Sequence, residues 1–173
     1  MNENLIPNLL LSAMAVYLVT GLLVPLMAGK RKLAGYMNLL GTAVAGAGLL
    51  AISYISITTG NPAEFHFLGV VFLVDAFSGL FLAIIAFMAI LSALYSIQYM
   101  EHYPEYSLRS YYLAFPFFIM GMAGVVTVDD LTTGFTVSWQ LMTIASYLLF
   151  RFEYRKPGIV RNANKYLILM ELA

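Results

Sequence analysis

The sequence predicts an all-α fold, a polytopic transmembrane helix bundle with five full spans, a truncated sixth and the N-terminus outside. Three observations carry that prediction. Of 173 residues, 61% are apolar and only 10% charged, with a mean hydropathy of +0.84, whereas a soluble domain is roughly a quarter charged and about half apolar. The charges punctuate long runs that contain none: residues 4–29, 33–63, 76–100, 110–128 and 131–150, against the ~20 apolar residues of helix that cross a bilayer core. The Lys and Arg residues occupy alternate connections, with Lys30, Arg31 and Lys32 after the first run, Arg109 after the third, and Arg151, Arg155, Lys156, Arg161 and Lys165 after the fifth. The positive-inside rule assigns those three connections to the cytoplasm and the N-terminus to the outer side of a cell (cytoplasmic) membrane.

The first run is not a signal peptide, because Asn2, Glu3 and Asn4 supply no positive leader and the apolar stretch is too long. In the second, Gly41 with Ala45 and Ala47 with Ala51 repeat small residues at four-residue spacing, which lets helices approach where lipid supplies no hydrophobic drive. The connection after it turns at Gly60-Asn61-Pro62 and continues through the apolar Phe67 to Val74, a strand or interfacial segment at the outer face, about 60–74. Asp75 then opens the third run as a helix cap, where the dipole favours an anion. Tyr95, Tyr99, Tyr103, Tyr106, Tyr111 and Tyr112 flank the next connection as an aromatic belt at the headgroups would. Asp129 and Asp130 sit in the tight turn between the fourth and fifth runs, where they either cap a helix or collect cations at an outer mouth. The last apolar run, from Tyr166 to Ala173, is short, about 12 Å of helix.

Several chemistries are excluded. Without cysteine there are no disulfides, thiolate zinc sites, iron–sulfur clusters or cysteine nucleophiles. A net charge of zero leaves no field to attract nucleic acid. His66 and His102 flank a charge-free span about 38 Å long as helix, so they share neither haem nor metal, and each reads as a solvated loop residue. No cofactor or metal is expected, and the chain is not an enzyme on its own. Its expected surroundings are lipid and other membrane subunits.

The polar residues of the fifth run form a pattern. Thr133, Thr136, Gln140, Thr143 and Tyr147 recur at spacings of three and four, one stripe along an otherwise apolar helix. Such a stripe either joins neighbouring helices through bonds of about 0.6 kcal/mol each or lines a hydrated path. Glu171 favours the path. A sixth helix starting near Arg161 carries Glu171 about 15 Å into the membrane, where a charge costs at least about 2.5–3.5 kcal/mol on insertion scales. An acid at that depth is a proton-transfer candidate by default, since desolvation opposes its charged form. Lys165 lies six residues earlier, about 9 Å along and roughly 120° around the helix, placing it at the cytoplasmic entrance rather than beside Glu171.

Val74-Asp75-Ala76-Phe77-Ser78-Gly79-Leu80-Phe81, then Tyr95-Ser96-Ile97-Gln98-Tyr99-Met100, resembles the antiporter-like membrane subunits of respiratory complex I. That family also holds the large subunits of Mrp-type cation/proton antiporters and of membrane-bound energy-converting hydrogenases. Val128-Asp129-Asp130-Leu131, Phe135, Ser138-Trp139-Gln140-Leu141-Met142 and Ala145 to Leu149 resemble the family's fourth and fifth helices, and Ala163-Asn164-Lys165-Tyr166 the start of its sixth. The resemblance runs from about Leu73 to Ala173. It implies a bundle of about fourteen helices with two inverted five-helix units, each holding a broken helix, around a hydrated axis of Lys and Glu.

The family's fifth helix normally reads Trp-Glu, its Glu pairing with a lysine two helices later. Here Gln140 follows Trp139, and an amide does not ionise. Two accounts follow: Glu171 takes the acidic role beside Gln140, or the chain has lost pumping and serves as a scaffold. We favour the first, since an unneeded intramembrane carboxylate is cheaply replaced. Family members are longer, and the lysine-bearing later helices are not in this sequence, so the chain is expected to be an N-terminal fragment or a split-gene product. Residues 1–108 then hold the leading helices one to three, and residues 109–173 the first helices of a transport unit. The implied role is part of an H⁺- or Na⁺-translocating complex of NADH:quinone oxidoreductase or membrane-hydrogenase type. A non-pumping scaffold or part of an Mrp-type Na⁺/H⁺ antiporter is the alternative.

Overall fold

The computed structural model describes residues 4–172, so Asn2, Glu3 and Ala173 lie outside the described residues. Helix α1 spans Leu5–Leu23 and continues through a 3-10 turn, Val24–Met27, where Pro25 suits the first turn. Helix α2, Arg31–Thr59, ends on Gly60 at φ 63°, a left-handed cap that glycine accepts without steric cost. A hairpin of β1, Ala63–Phe67, and β2, Val70–Val74, precedes α3, Ala76–Tyr99. Helices α4, Arg109–Thr127, α5, Gly134–Phe150, and α6, Ile159–Leu172, complete the chain.

Four of these helices, α1 to α4, are long and apolar enough to cross a membrane. The fifth predicted span is shorter than its charge-free run. Its helix starts at Gly134 because Asp130 gathers the amides that follow it into a turn, leaving 17 helical residues, about 25 Å. The sixth helix starts at Ile159, before its apolar run, since Arg161, Asn162, Asn164 and Lys165 fit its first turns. Its 14 residues extend about 21 Å.

The outer segment resolves as a strand pair. Ala63 faces Val74 and Phe67 faces Val70 in antiparallel register, with Phe65 stacked on Phe72 at 5.1 Å. Leu68 and Gly69, at φ 51° and 81°, both in the left-handed region, form the two-residue turn whose twist matches the right-handed twist of paired strands. The hairpin is tied to the α4–α5 connection by a bridge between Phe72 and Val128 and by the Asp129 amide donating to the Val71 carbonyl at 3.0 Å.

Helix α2 packs on α1 and α3, and α4 packs on α1 and α5. Of the small residues expected to mediate packing, Gly41 lies against Thr20 of α1 and Ala45 is buried, but Ala47 and Ala51 are exposed. Gly46 makes the close approach to α3 instead, where a Cβ would meet Ile90 at 2.9 Å. The pair Gly41 and Ala45 takes part in the packing, whereas the rotation of the helix turns Ala47 and Ala51 outward.

The three basic connections gather at one end. Arg31 donates to the carbonyls of Met100, Tyr103, Pro104 and Tyr106 at 2.7 to 3.1 Å, and Lys32 pairs with Glu101 at 3.5 Å. Phe152, from the connection after α5, packs against Tyr103, Tyr106 and Tyr111 with ring centroids 5.5 to 6.0 Å apart. Of the six tyrosines read as a belt, Tyr95 and Tyr99 are exposed, whereas Tyr106 and Tyr112 are buried and Tyr103, Tyr106 and Tyr111 bind the connections to one another through Phe152. Burying large rings between loops offers more contact area than anchoring them singly. His66, on β1, and His102, after α3, are both exposed and at opposite ends of α3.

Candidate functional site

The polar stripe of α5 meets α6 along an antiparallel seam. The Gln140 amide donates from Nε2 to Glu171 Oε2 at 2.8 Å. Seven residues further along α5, the Tyr147 hydroxyl donates to Asn164 Oδ1 at 3.0 Å, and Asn164 precedes Glu171 by seven. Residues seven apart on one helix meet residues seven apart on its neighbour in reverse order, as antiparallel register requires. Between them Ser146 and Tyr166 exchange a hydroxyl–hydroxyl bond at 3.0 Å. Beyond Tyr147, Arg151 Nη1 donates to its hydroxyl at 3.3 Å, carrying the seam to the basic end.

The two central groups lie at a matching depth. Gln140 is six residues into α5 and Glu171 twelve residues into α6, about 9 Å from the start of the one and 18 Å from the start of the other. A carboxylate oxygen bonded to an amide N–H keeps its remaining lone pairs for a proton or a second donor. Glu171 is exposed on this chain beside Ile168, Leu169 and Leu172. A carboxylate beside exposed apolar side chains is favoured by a protein or water partner, and Gln140 supplies one here.

Thr143 lies on the same face between Gln140 and Tyr147, fully buried, and its hydroxyl has no partner among the described residues. An orphaned buried hydroxyl is a place where a bound water satisfies two groups at once. Thr136 is exposed nearer the outer end, its hydroxyl donating to the Leu131 carbonyl at 3.4 Å. Thr133 precedes the helix and is exposed. Lys165 is exposed on α6 and apart from the Gln140–Glu171 pair. Sequence reasoning missed Ser146, Asn164, Tyr166 and Arg151; the signal was the seven-residue interval from Asn164 to Glu171, equal to that from Gln140 to Tyr147.

The acidic residues at the opposite end hold backbone. Asp75 Oδ1 accepts the Ser78 amide at 2.7 Å, and that bond lowers its pKa below the usual carboxylate range. Asp130 accepts the Thr132 hydroxyl at 2.6 Å and the amides of Thr132, Thr133 and Gly134 at 3.0 to 3.3 Å. The Thr132 hydroxyl, then the Gly134 and Thr132 amides, hold its carboxyl below the ordinary 3.8. Its contribution to the turn is therefore complete above about pH 4 and lost as pH falls through the lowered value. Asp130→Ala is expected to speed amide exchange at Thr132, Thr133 and Gly134 at neutral pH; unchanged protection there contradicts the capping role. Asp129 is exposed, and its backbone amide bonds the Val71 carbonyl of the hairpin rather than the turn. Among the described residues no three His, Asp or Glu side chains gather to hold a metal ion.

A family model described as NADH-ubiquinone oxidoreductase (complex I), chain 5 N-terminus, matches residues 63–108, the hairpin through the end of the α3–α4 connection. The Na⁺/H⁺ antiporter subunit of Alkalihalophilus pseudofirmus is 34% identical over 126 residues, 68% of this chain and 15% of its own. The NADH-ubiquinone oxidoreductase chain 5 of Chondrus crispus is 36% identical over 101 residues, 57% of this chain and 14% of its own. The F420H2 dehydrogenase subunit L of Methanosarcina mazei is 29% identical over 92 residues, 53% of this chain and 13% of its own. The matched segments therefore span about a seventh of these relatives' length.

Proposed function

We propose, for a chain that belongs to the antiporter-like membrane subunits of the complex I, Mrp antiporter and membrane hydrogenase superfamily, a part in ion translocation coupled to electron transfer. Residues 109–173 supply the first helices of a transport unit, and other membrane subunits of a cytoplasmic-membrane complex complete it. The observation that carries this reading is the Gln140–Glu171 bond at matching depth in the α5–α6 seam. Gln140 stays neutral and holds the carboxylate in place, while Glu171 takes up and releases the proton. Thr143, Ser146, Tyr166 and Tyr147 offer hydroxyls that both donate and accept, a route for protons toward Arg151 and the basic end. Lys165 stands near the entrance of that route, and Thr136 on its outer side. Asp75 and Asp130 shape the outer mouth, with Asp129 free to attract cations there.

Glu171→Gln in the assembled complex tests it, with ion flux measured in sealed vesicles and assembly on native gels. Flux is expected to fall at least about tenfold with assembly intact; unchanged flux assigns the chain a scaffold role. A second reading, an Mrp-type Na⁺/H⁺ antiporter, draws support from the Alkalihalophilus pseudofirmus antiporter protein, which matches 68% of the chain. It requires sodium-dependent proton flux without an electron donor.

A further inference from the structure

Two cavities lie end to end between α4 and α5, sharing Leu148, and their linings differ in kind. The one at the basic end, about 310 Å³, is lined by Ser107, Ser110, Arg151 and Tyr154 as well as Leu148 and Phe152. The next, about 150 Å³, is lined only by apolar side chains, among them Leu113, Phe117, Leu141 and Ile144. Leu113 and Ile144 are exposed, so this second cavity opens on the outside of the bundle. From Arg151 back to Leu141 the trough extends ten residues of α5, about 15 Å toward the membrane interior.

From this order of chemistries we infer that the α4–α5 groove binds one anionic phospholipid, its phosphate at Arg151 and its acyl chain along Leu148, Ile144 and Leu141. Arg151 gives one N–H to Tyr147 and retains others for phosphate oxygens, which a planar guanidinium takes two at a time. Ser107 and Ser110 add hydroxyl donors on the α4 side. Charge selects the headgroup. Arg151 lines the cavity, and Arg109 and Arg155 neighbour its lining residues in sequence; of the carboxylates in the two connections, Glu101 pairs with Lys32 and Glu153 with Lys156, Glu105 is exposed, and among the described residues no carboxylate pairs with Arg151. Cations at this end attract the headgroups of an anionic leaflet. The apolar cavity excludes a free phosphate as the preferred occupant, because it would leave that surface uncovered.

The full chain is reconstituted in nanodiscs of phosphatidylcholine with a minority of phosphatidylglycerol, gently stripped of bulk lipid, and weighed by native mass spectrometry. A single phosphatidylglycerol is expected to remain bound. Arg151→Gln is expected to weaken its retention about tenfold without changing that of phosphatidylcholine. Ser110→Asp, which leaves the Arg151–Tyr147 bond intact, is expected to act in the same direction by repulsion, so a folding defect in the first variant leaves the second to decide. Ile144→Trp, filling the apolar half, is expected to abolish retention with Arg151 present. Equal retention of the two lipids, or retention indifferent to Arg151→Gln and Ser110→Asp, overturns the site. So does cross-linking of residue 144 to another helix in place of lipid.

Discussion

Arg31→Ala is expected to unfasten the basic end of the bundle and to lower the unfolding free energy by about 3–5 kcal/mol. One guanidinium donates to four carbonyls of the α3–α4 connection, at Met100, Tyr103, Pro104 and Tyr106. Each hydrogen bond to a charged donor contributes about 1.5–3 kcal/mol. Four independent bonds would give more than our figure, but the region is partly exposed, water replaces some of them, and bonds sharing one donor do not add. The connection has few alternatives: its backbone bonds include Tyr103 to Met100 at 3.4 Å and Tyr106 to Tyr103 at 3.2 Å, both long, and Tyr112 to Leu108 at 3.0 Å where α4 begins. Arg31→Lys keeps the charge but brings its donors to a single nitrogen, so it should recover only part of the loss. Denaturation of the purified chain in detergent measures this. An alanine variant with the wild-type midpoint is incompatible with the clamp.

Gly121→Leu is expected to force α4 and α5 apart, with a loss above about 3 kcal/mol and disruption of the α5–α6 seam. A Cβ at Gly121 would lie 2.7 Å from the Met142 amide nitrogen and 2.9 Å from its Cα, both backbone atoms of α5 that do not swing aside. Even Gly121→Ala should cost about 1–3 kcal/mol. The control is Gly29→Ala, since no heavy atom lies within 4 Å of a Cβ there and surface changes usually stay within about 0.5 kcal/mol. Because α5 carries Gln140, Met142 and Tyr147 on one rigid helix, a shift at Gly121 moves the partners of Glu171 and Asn164 together. Equal stabilities for the Gly121 and Gly29 variants would contradict this packing.

Part of the site was legible before any tertiary contact was known. The stripe of Gln140, Thr143 and Tyr147 follows from helical period alone, and the depth of Glu171 from residue counting. Its partner residues on α6 were less visible, because Asn164 and Tyr166 stand beside Arg161 and Lys165 and read as the polar start of a helix. The tyrosines show the opposite case. Tyr99 and Tyr112 look alike in sequence, yet Tyr112 is 1% exposed against 39% for Tyr99. Helix α5 begins later than its charge-free run for a local reason, since the reach of Asp130 to three successive amides and a hydroxyl depends on the turn adopted there.

The sequence by itself determined which stretches are apolar helices, where their polar connections fall, and that Gln140 and Glu171 come level with one another, although α5 is shorter than its charge-free run and only α1 to α4 reach membrane length. These follow from composition and period, which are local. Only the tertiary structure decided which small residues touch, which rings are inside, and which polar group on α6 each α5 side chain meets. The physical reason is that lipid-facing and helix-facing surfaces of such a chain are equally apolar, so hydropathy carries little information about helix rotation. Close packing at Gly121 and Gly46, and hydrogen bonds from Arg31 and Gln140, supply the orientation that hydropathy leaves open.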